Sequence, residues 1–214
     1  MRRVSEDPKR VIAEGYDRLG GTFDEWNAQL PAEGRRWFRD EVLERLAEGS
    51  TVLEVGCGPG TDAPPLARDR RYVGLDLSVV QLELARKRVP SGLFVCGDLA
   101  TVAFRPETFD GIVGFYVFNH VPRREVPRAF ASFMTWLRPG GYLMLAALPT
   151  FPDNDRFHDW LGVPMFFAGI EPGEFQRSLL DVGFEIEMSE LRFGTQEAWG
   201  WSEPRWIVAR KPRS

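Results

Sequence analysis

The chain has 214 residues, 43% hydrophobic and 27% charged, an ordinary globular balance and enough chain for one domain with a sizeable core. Lysine and arginine number 27 against 31 acids, a net charge of -4, which excludes a broadly basic surface for a nucleic-acid backbone. Cys57 and Cys96 are too few for a disulfide framework or a cysteine-based zinc site.

Residues Met1 to Pro8 turn polar and acidic after two arginines, with no apolar run behind them, so no signal peptide is expected. No stretch of about 18 apolar residues follows, so no membrane span is expected and a cytoplasmic protein is the default. Ile12, Tyr16 and Leu19 share one helix face, and Phe38, Val42 and Leu46 another, which makes 1–48 a helical N-terminal part.

Between 51 and 147 short apolar runs alternate with helical patterns. Thr51–Val55, Arg71–Leu75, Leu93–Cys96, Phe109–Phe115 and Tyr142–Ala147 read as strands. Ser78–Val89 reads as a helix with Val79, Leu82, Leu84 and Ala85 at helical spacing, Ser78 as N-cap and Pro90 as stop. Arg123–Leu137 reads as another, ended by Pro139-Gly140-Gly141. Strands alternating with helices predict βαβ units and a parallel sheet. An insertion, 149–172, precedes a helix over Glu171–Val182 that Gly183 stops. Phe184–Glu190 and Arg205–Arg210 then read as a closing strand pair within 173–210. With no repeat and no linker, 1–214 is expected to be one domain.

The chemistry concentrates at Val52-Leu53-Glu54-Val55-Gly56-Cys57-Gly58-Pro59-Gly60-Thr61. A buried strand runs into three glycines at alternate positions, which lets a ligand approach the main chain closely. The dinucleotide fingerprint G-x-G-x-x-G would need a third glycine where Thr61 stands. Asp76 follows the second strand, where a carboxylate can hold both ribose hydroxyls or start the next helix. Asp98, after the third strand, suits an exocyclic amine such as adenine's, or a Gly-Asp turn.

Together these residues resemble the class I S-adenosylmethionine-dependent methyltransferases over roughly Thr51 to Ala147. Val52–Gly60 looks like the glycine motif, Leu75-Asp76-Leu77-Ser78 like the ribose motif and Gly97-Asp98-Leu99 like the adenine motif. Phe109–Val113 is similar to the fourth-strand motif and Leu137–Leu143 to the turn into the fifth strand. The subgroup it resembles is the small-molecule type of ubiquinone biosynthesis. The resemblance implies an α/β, Rossmann-like, seven-stranded, mostly parallel sheet with an antiparallel last strand and helices on both faces.

It also implies S-adenosylmethionine as methyl donor, S-adenosylhomocysteine as product, and a donor site of Tyr16, Glu54, Gly56, Cys57, Gly58, Gly60, Asp76, Leu77, Asp98, Leu99 and Phe115. Glu14–Arg18, containing Tyr16, is similar to a segment that closes over the donor, although Tyr16 equally suits helix packing. The insertion and the N-terminal helices are then the acceptor lid, or else an apolar cluster covering the sheet. The acceptor-side set is Tyr16, His120, His158, Trp160, Phe166 and Phe167, within a chain rich in aromatics (seven Trp, 16 Phe). Trp206 is expected in the sheet core, with Trp199 and Trp201 at an edge or in the pocket. His120, after the fourth strand, is the candidate general base, or a packing histidine. No metal is implied.

The expected reaction is methyl transfer to a small apolar or aromatic molecule, with oxygen the first choice of acceptor atom and nitrogen, sulfur and carbon open. No nucleic-acid or membrane partner is expected. A donor-binding regulatory domain and a nicotinamide-dependent oxidoreductase are the alternatives.

Overall fold

A computed structural model describes residues 7–148, 156–168, 172–197 and 200–213. The N-terminal part supplies α1 (Pro8–Leu19), α2 (Gly21–Asn27) and α3 (Glu33–Arg45). Asp7 caps α1 by accepting from the Lys9 N–H, with proline at the first helical position. Then follow β1 (Thr51–Val55), α4 (Ala63–Ala67), β2 (Arg71–Asp76), α5 (Val79–Arg88), β3 (Leu93–Cys96) and β4 (Phe109–Phe115). After α6 (Val126–Trp136) come β5 (Leu137–Ala147) and a hairpin of β6 (Arg156–Trp160) and β7 (Val163–Phe167). The chain closes through α7 (Pro172–Val182), β8 (Glu185–Leu191), a small hairpin of β9 (Thr195–Glu197) and β10 (Gly200–Ser202), and β11 (Arg205–Arg210).

The main sheet has seven strands in the order β3-β2-β1-β4-β5-β11-β8. Neighbours from β3 to β5 pair parallel, and β11 runs antiparallel to both β5 and β8. The expected sheet and its antiparallel last strand are both present. Alternate residues enter opposite cores, as the two-residue period of a strand requires. Leu53, Ile112, Leu143 and Ile207 join one apolar cluster, and Val52, Val113, Met144 and Val208 the other. α6 and α7 cover the first face through Phe130, Phe133 and Leu179. α3 covers the second through Phe38, Val42 and Leu46, the helix face the sequence predicts. Trp206 is fully buried there, as expected, and its indole N–H donates to the Arg192 carbonyl at 3.1 Å.

Four expectations need correction. The helix expected over Arg123–Leu137 starts at Val126, after a 3-10 turn over Arg123–Glu125. Leu137 instead opens β5, pairing with Phe109, because the parallel ladder captures the segment through a register shift near Gly111. Val79 does not face the core; it is exposed, and Gln81 is buried in its place. The Gln81 amide donates to the Tyr16 and Gly20 carbonyls and so ties down the end of α1. The insertion, read without strands, carries the β6–β7 hairpin. Strand order reverses between β1 and β4, and this switch point is where open α/β sheets bind ligands.

Candidate functional site

A cavity of about 700 Å³ lies over the carboxyl ends of the parallel strands. Its floor is the loop after β1. Gly56, Gly58 and Gly60 all have positive φ, at 64, 52 and 75°. A Cβ on Gly56 would strike the Val117 side chain, whereas one on Gly58 would meet only Phe23, at 3.7 Å. Gly56, Cys57 and Gly58 line the cavity. Gly60 instead faces α5, where a Cβ would sit 3.2 Å from that of Ala85. The third glycine therefore lets helix and loop pack together. Thr61 has its own task, since its hydroxyl accepts from the Asn27 amide at 3.2 Å and ties α2 to the loop.

Asp76, at the end of β2, accepts from the Gly58 N–H at 2.8 Å and the Ser78 N–H at 2.9 Å. A carboxylate has about four lone-pair positions, so acceptor capacity remains for a hydroxyl. Burial raises its pKa, and the backbone N–H donors oppose the rise. Ser78 is the predicted N-cap of α5, its hydroxyl oxygen accepting from the Gln81 N–H at 3.1 Å. Leu77 also lines the cavity.

Asp98 and Leu99 line its far end. Asp98 already accepts from the Lys9 ammonium, the Ala100 N–H at 3.0 Å and the Thr101 hydroxyl at 2.8 Å. Burial alone would raise its pKa, but these donors together pull it below the ordinary carboxylate value. Lys9 also pairs with Glu125 at 2.7 Å, so it fastens α1 across this end.

Glu54 is buried at the end of β1 and accepts from the Tyr72 hydroxyl at 2.6 Å. Burial first, then the charges of Asp62 and Asp76, push its pKa up to about 8 against the opposing effects of Tyr72 and Arg35. Arg35, which the sequence did not single out, enters from α3. It donates to Asp62 at 2.7 Å and to the Asn27 side-chain oxygen Oδ1 at 2.7 Å, and lies over the Phe115 and Tyr116 rings at 5.7 and 5.3 Å. Phe115 lines the cavity beneath it.

The opposite wall is aromatic. Tyr16 of α1 meets Phe23 edge-on at 5.0 Å and Trp160 at 5.9 Å, and Trp26 meets Trp160 at 5.2 Å. Phe167 lies 4.9 Å from the His120 ring. His120 is buried on the 3-10 turn after β4, with Nδ1 2.7 Å from the Phe166 carbonyl oxygen and Nε2 2.9 Å from the Tyr16 hydroxyl. Burial lowers its pKa to about 4, although the contact with Phe166 opposes this. Phe166 is buried and acts through its backbone, so it does not line the cavity. His158 pairs with Met165 in the hairpin backbone, and its side chain lies outside the described residues. Trp199 and the side chain of Trp201 also lie outside them. The cavity thus brings together the expected Tyr16, His120, Trp160 and Phe167, along with Lys9, Phe23, Trp26 and Arg35, which the sequence did not single out. The only available signal was their presence in polar or aromatic helices before the first strand.

Among the described residues, no cluster of three or more metal-ligating side chains forms, and no helix is long and apolar enough to cross a membrane. Asn119 carries the one buried side-chain atom on a cavity-lining residue without a partner, Oδ1, among the described residues. The open cradle at Gly58, the spare acceptor capacity of Asp76 and this orphaned oxygen all fit a polar ligand lying along the strand ends.

Residues 52–141 match the family described as a methyltransferase domain. A 2-phytyl-1,4-naphtoquinone methyltransferase of Thermosynechococcus vestitus is 32% identical over 68% of this chain and 68% of its own length. A demethylmenaquinone methyltransferase of Symbiobacterium thermophilum is 27% identical over 71% of this chain and 65% of its own, so the chain spans about two thirds of these relatives. A solved S-adenosylmethionine-dependent methyltransferase of Methanosarcina mazei shares the fold, with TM-score 0.69 and 19% identity over 80% of this chain and 96% of its own. The chain belongs to the class I S-adenosylmethionine-dependent methyltransferases. Within them it falls in the small-molecule branch of ubiquinone-biosynthesis type, and S-adenosylmethionine is its cofactor.

Proposed function

We propose that the protein methylates a hydroxyl oxygen on a small, neutral, apolar or aromatic molecule. The observation that carries this reading is His120: a neutral imidazole held in the cavity wall, one nitrogen fixed by the Phe166 carbonyl and the other turned toward Tyr16. A base is useful when the acceptor must lose a proton, and such a group contributes about 10²–10⁴-fold.

When bound, S-adenosylmethionine supplies an electrophilic methyl group on a sulfonium. Asp76 would accept from the ribose hydroxyls. Gly56 and Gly58 would let the methionyl part lie against the main chain, with Glu54 available to its ammonium and Arg35 to its carboxylate. Asp98 and Leu99 would hold the adenine end. Tyr16, Phe23, Trp26, Trp160 and Phe167 exclude water and hold the acceptor flat. Holding reactants in line can lower the barrier by about 7–11 kcal/mol. His120 holds the acceptor's proton.

Charge supports a neutral acceptor. The two cations lining the cavity among the described residues, Lys9 and Arg35, are already paired with Asp98 and Asp62, and Arg35 has the methionyl carboxylate to serve besides. An acidic acceptor would meet Asp76 and Asp159 without a spare cation. The relatives' quinone-type substrates also point to an apolar ring, and the action of this chain is proposed to be on a single small molecule without nucleic acid or membrane.

The test is transfer of labelled methyl from S-adenosylmethionine to a panel of phenols and hydroquinones alongside their carboxylated counterparts. Turnover with the neutral hydroxyl compounds, and a loss of about 100-fold or more in His120→Gln at unchanged donor affinity, is the expected result. Turnover confined to acids or amines would overturn the acceptor class. Donor binding with no turnover on any class would favour the regulatory reading.

A further inference from the structure

We propose that Tyr16 is a catalytic residue, the group that touches the acceptor hydroxyl and relays its proton to His120. The inference rests on the hydroxyl-acceptor reading above.

A backbone carbonyl oxygen only accepts hydrogen bonds, so the 2.7 Å contact between His120 Nδ1 and the Phe166 oxygen places a proton on Nδ1. A neutral imidazole carries one N–H, so Nε2 presents a lone pair. The 2.9 Å contact between Nε2 and the Tyr16 oxygen must then be donated by the Tyr16 hydroxyl. Two hydrogen bonds thus fix both the tautomer and the direction of the phenolic proton. Tyr16 has committed its only hydrogen, and its oxygen presents lone pairs alone. A hydroxyl compound, which has a proton to give, matches such a group.

Access gives the second argument. Nε2 is covered by the Tyr16 oxygen, the Tyr16 ring packs against Phe23 and Trp160, and the His120 ring packs against Phe167. An acceptor in the cavity therefore reaches Tyr16 before His120. Burial and then the Asp76 charge raise the Tyr16 pKa and disfavour the phenolate, and burial lowers the His120 pKa too, so the imidazolium forms only as the sulfonium charge is lost. The proton has to pass on.

The hairpin holds the arrangement. The Phe166 carbonyl belongs to β7, and the Ala168 N–H donates to the Asn119 carbonyl at 2.7 Å, so strand and turn are joined on both sides of His120. Gly15 lets α1 approach the same strand: a Cβ there would lie 2.8 Å from the Met165 methyl.

The step balances. The acceptor oxygen forms a bond to the methyl carbon, and the electron pair of the broken C–S bond stays on sulfur. The acceptor proton moves to the Tyr16 oxygen as the Tyr16 proton moves to Nε2. His120 becomes an imidazolium still donating to Phe166. One positive charge leaves sulfur and one arises on His120, so the charge within the cavity is unchanged. Phe167, 4.9 Å away, offers its ring to that cation.

The experiment begins without donor or acceptor, by ¹⁵N NMR of the imidazole. A protonated Nδ1 and an unprotonated Nε2 are expected, with Nε2 alone moving in Tyr16→Phe. A protonated Nε2 would overturn the relay. The second readout is single-turnover kinetics with the hydroxyl acceptor found in the panel. Tyr16→Phe should lower the rate about 100-fold or more, with donor affinity within about threefold. His120→Gln should match it, and the double variant should lose no more than either, as residues acting as a unit do. A Tyr16→Phe variant at wild-type rate beside an impaired His120→Gln overturns the relay and leaves the hydroxyl reading standing. A protein that methylates no hydroxyl compound overturns both.

Discussion

Asp76→Asn separates the donor site from the loop that carries it. The wild-type carboxylate accepts from two backbone N–H groups, of Gly58 and Ser78. The amide keeps one acceptor oxygen and turns an NH₂ toward the other donor. Hydrogen bonds to a charged group contribute about 1.5–3 kcal/mol each, and relief of the buried charge offsets part of that loss, so folding should weaken by at most that amount. At about 2–4 °C per kcal/mol for a domain of this size, Tm should fall by at most about 12 °C. The loss at the ribose hydroxyls comes in addition. One charged hydrogen bond lost there weakens S-adenosylhomocysteine binding by about 10- to 100-fold. Titration calorimetry with that product, beside melting without it, reads the two effects independently. An affinity within about twofold of wild type, with Tm lowered as expected, would refute the ribose role and leave Asp76 a staple of the loop.

Glu54→Gln tests a pH effect. An acid whose folded pKa, about 8, lies above its unfolded value adds stability at low pH and loses it as pH rises through the folded value. The variant should flatten the fall in Tm between about pH 5 and 8, and an unaltered slope would show that Glu54 titrates normally. Gly15→Ile should drive α1 off the hairpin, since its Cβ would meet Met165 and the Pro164 carbonyl at 2.8 and 3.0 Å. Overpacking of this kind costs about 1–3 kcal/mol, and the His120 Nε2 resonance should move toward that of Tyr16→Phe. Trp206→Ala empties a fully buried site between α3 and the sheet, at about 3–5 kcal/mol by chemical denaturation.

The parallel strands were legible because the central ones, buried on both faces, leave continuous apolar runs, and all have glycine, aspartate or proline near their ends. Thr51–Val55, Leu93–Cys96 and Phe109–Phe115 have the predicted ends. Ser78 and Gly183 marked helix termini through capping chemistry that is local to the chain. β5 was misjudged because Pro139-Gly140-Gly141 looks like a turn when the distant partner of Leu137, Phe109, is not in view. α2, α4 and the β6–β7 hairpin are short, and tertiary contacts decide them more than pattern does. The site divides in the same way. Its floor lies on one motif and two strand ends, whereas Lys9, Phe23, Trp26 and Arg35 reach it only when three helices fold back over the sheet. The tautomer of His120 depends on a carbonyl 46 residues away, which no local pattern encodes.

The central claim is that the cavity over β1, β2 and β4 holds S-adenosylmethionine, and thermal melting tests it most directly. S-adenosylhomocysteine at about 100 times its dissociation constant should stabilise the protein by roughly 2.7 kcal/mol, a Tm rise of about 5–11 °C. NAD at the same concentration should leave Tm unchanged. A rise with NAD and none with S-adenosylhomocysteine would contradict the account at its base.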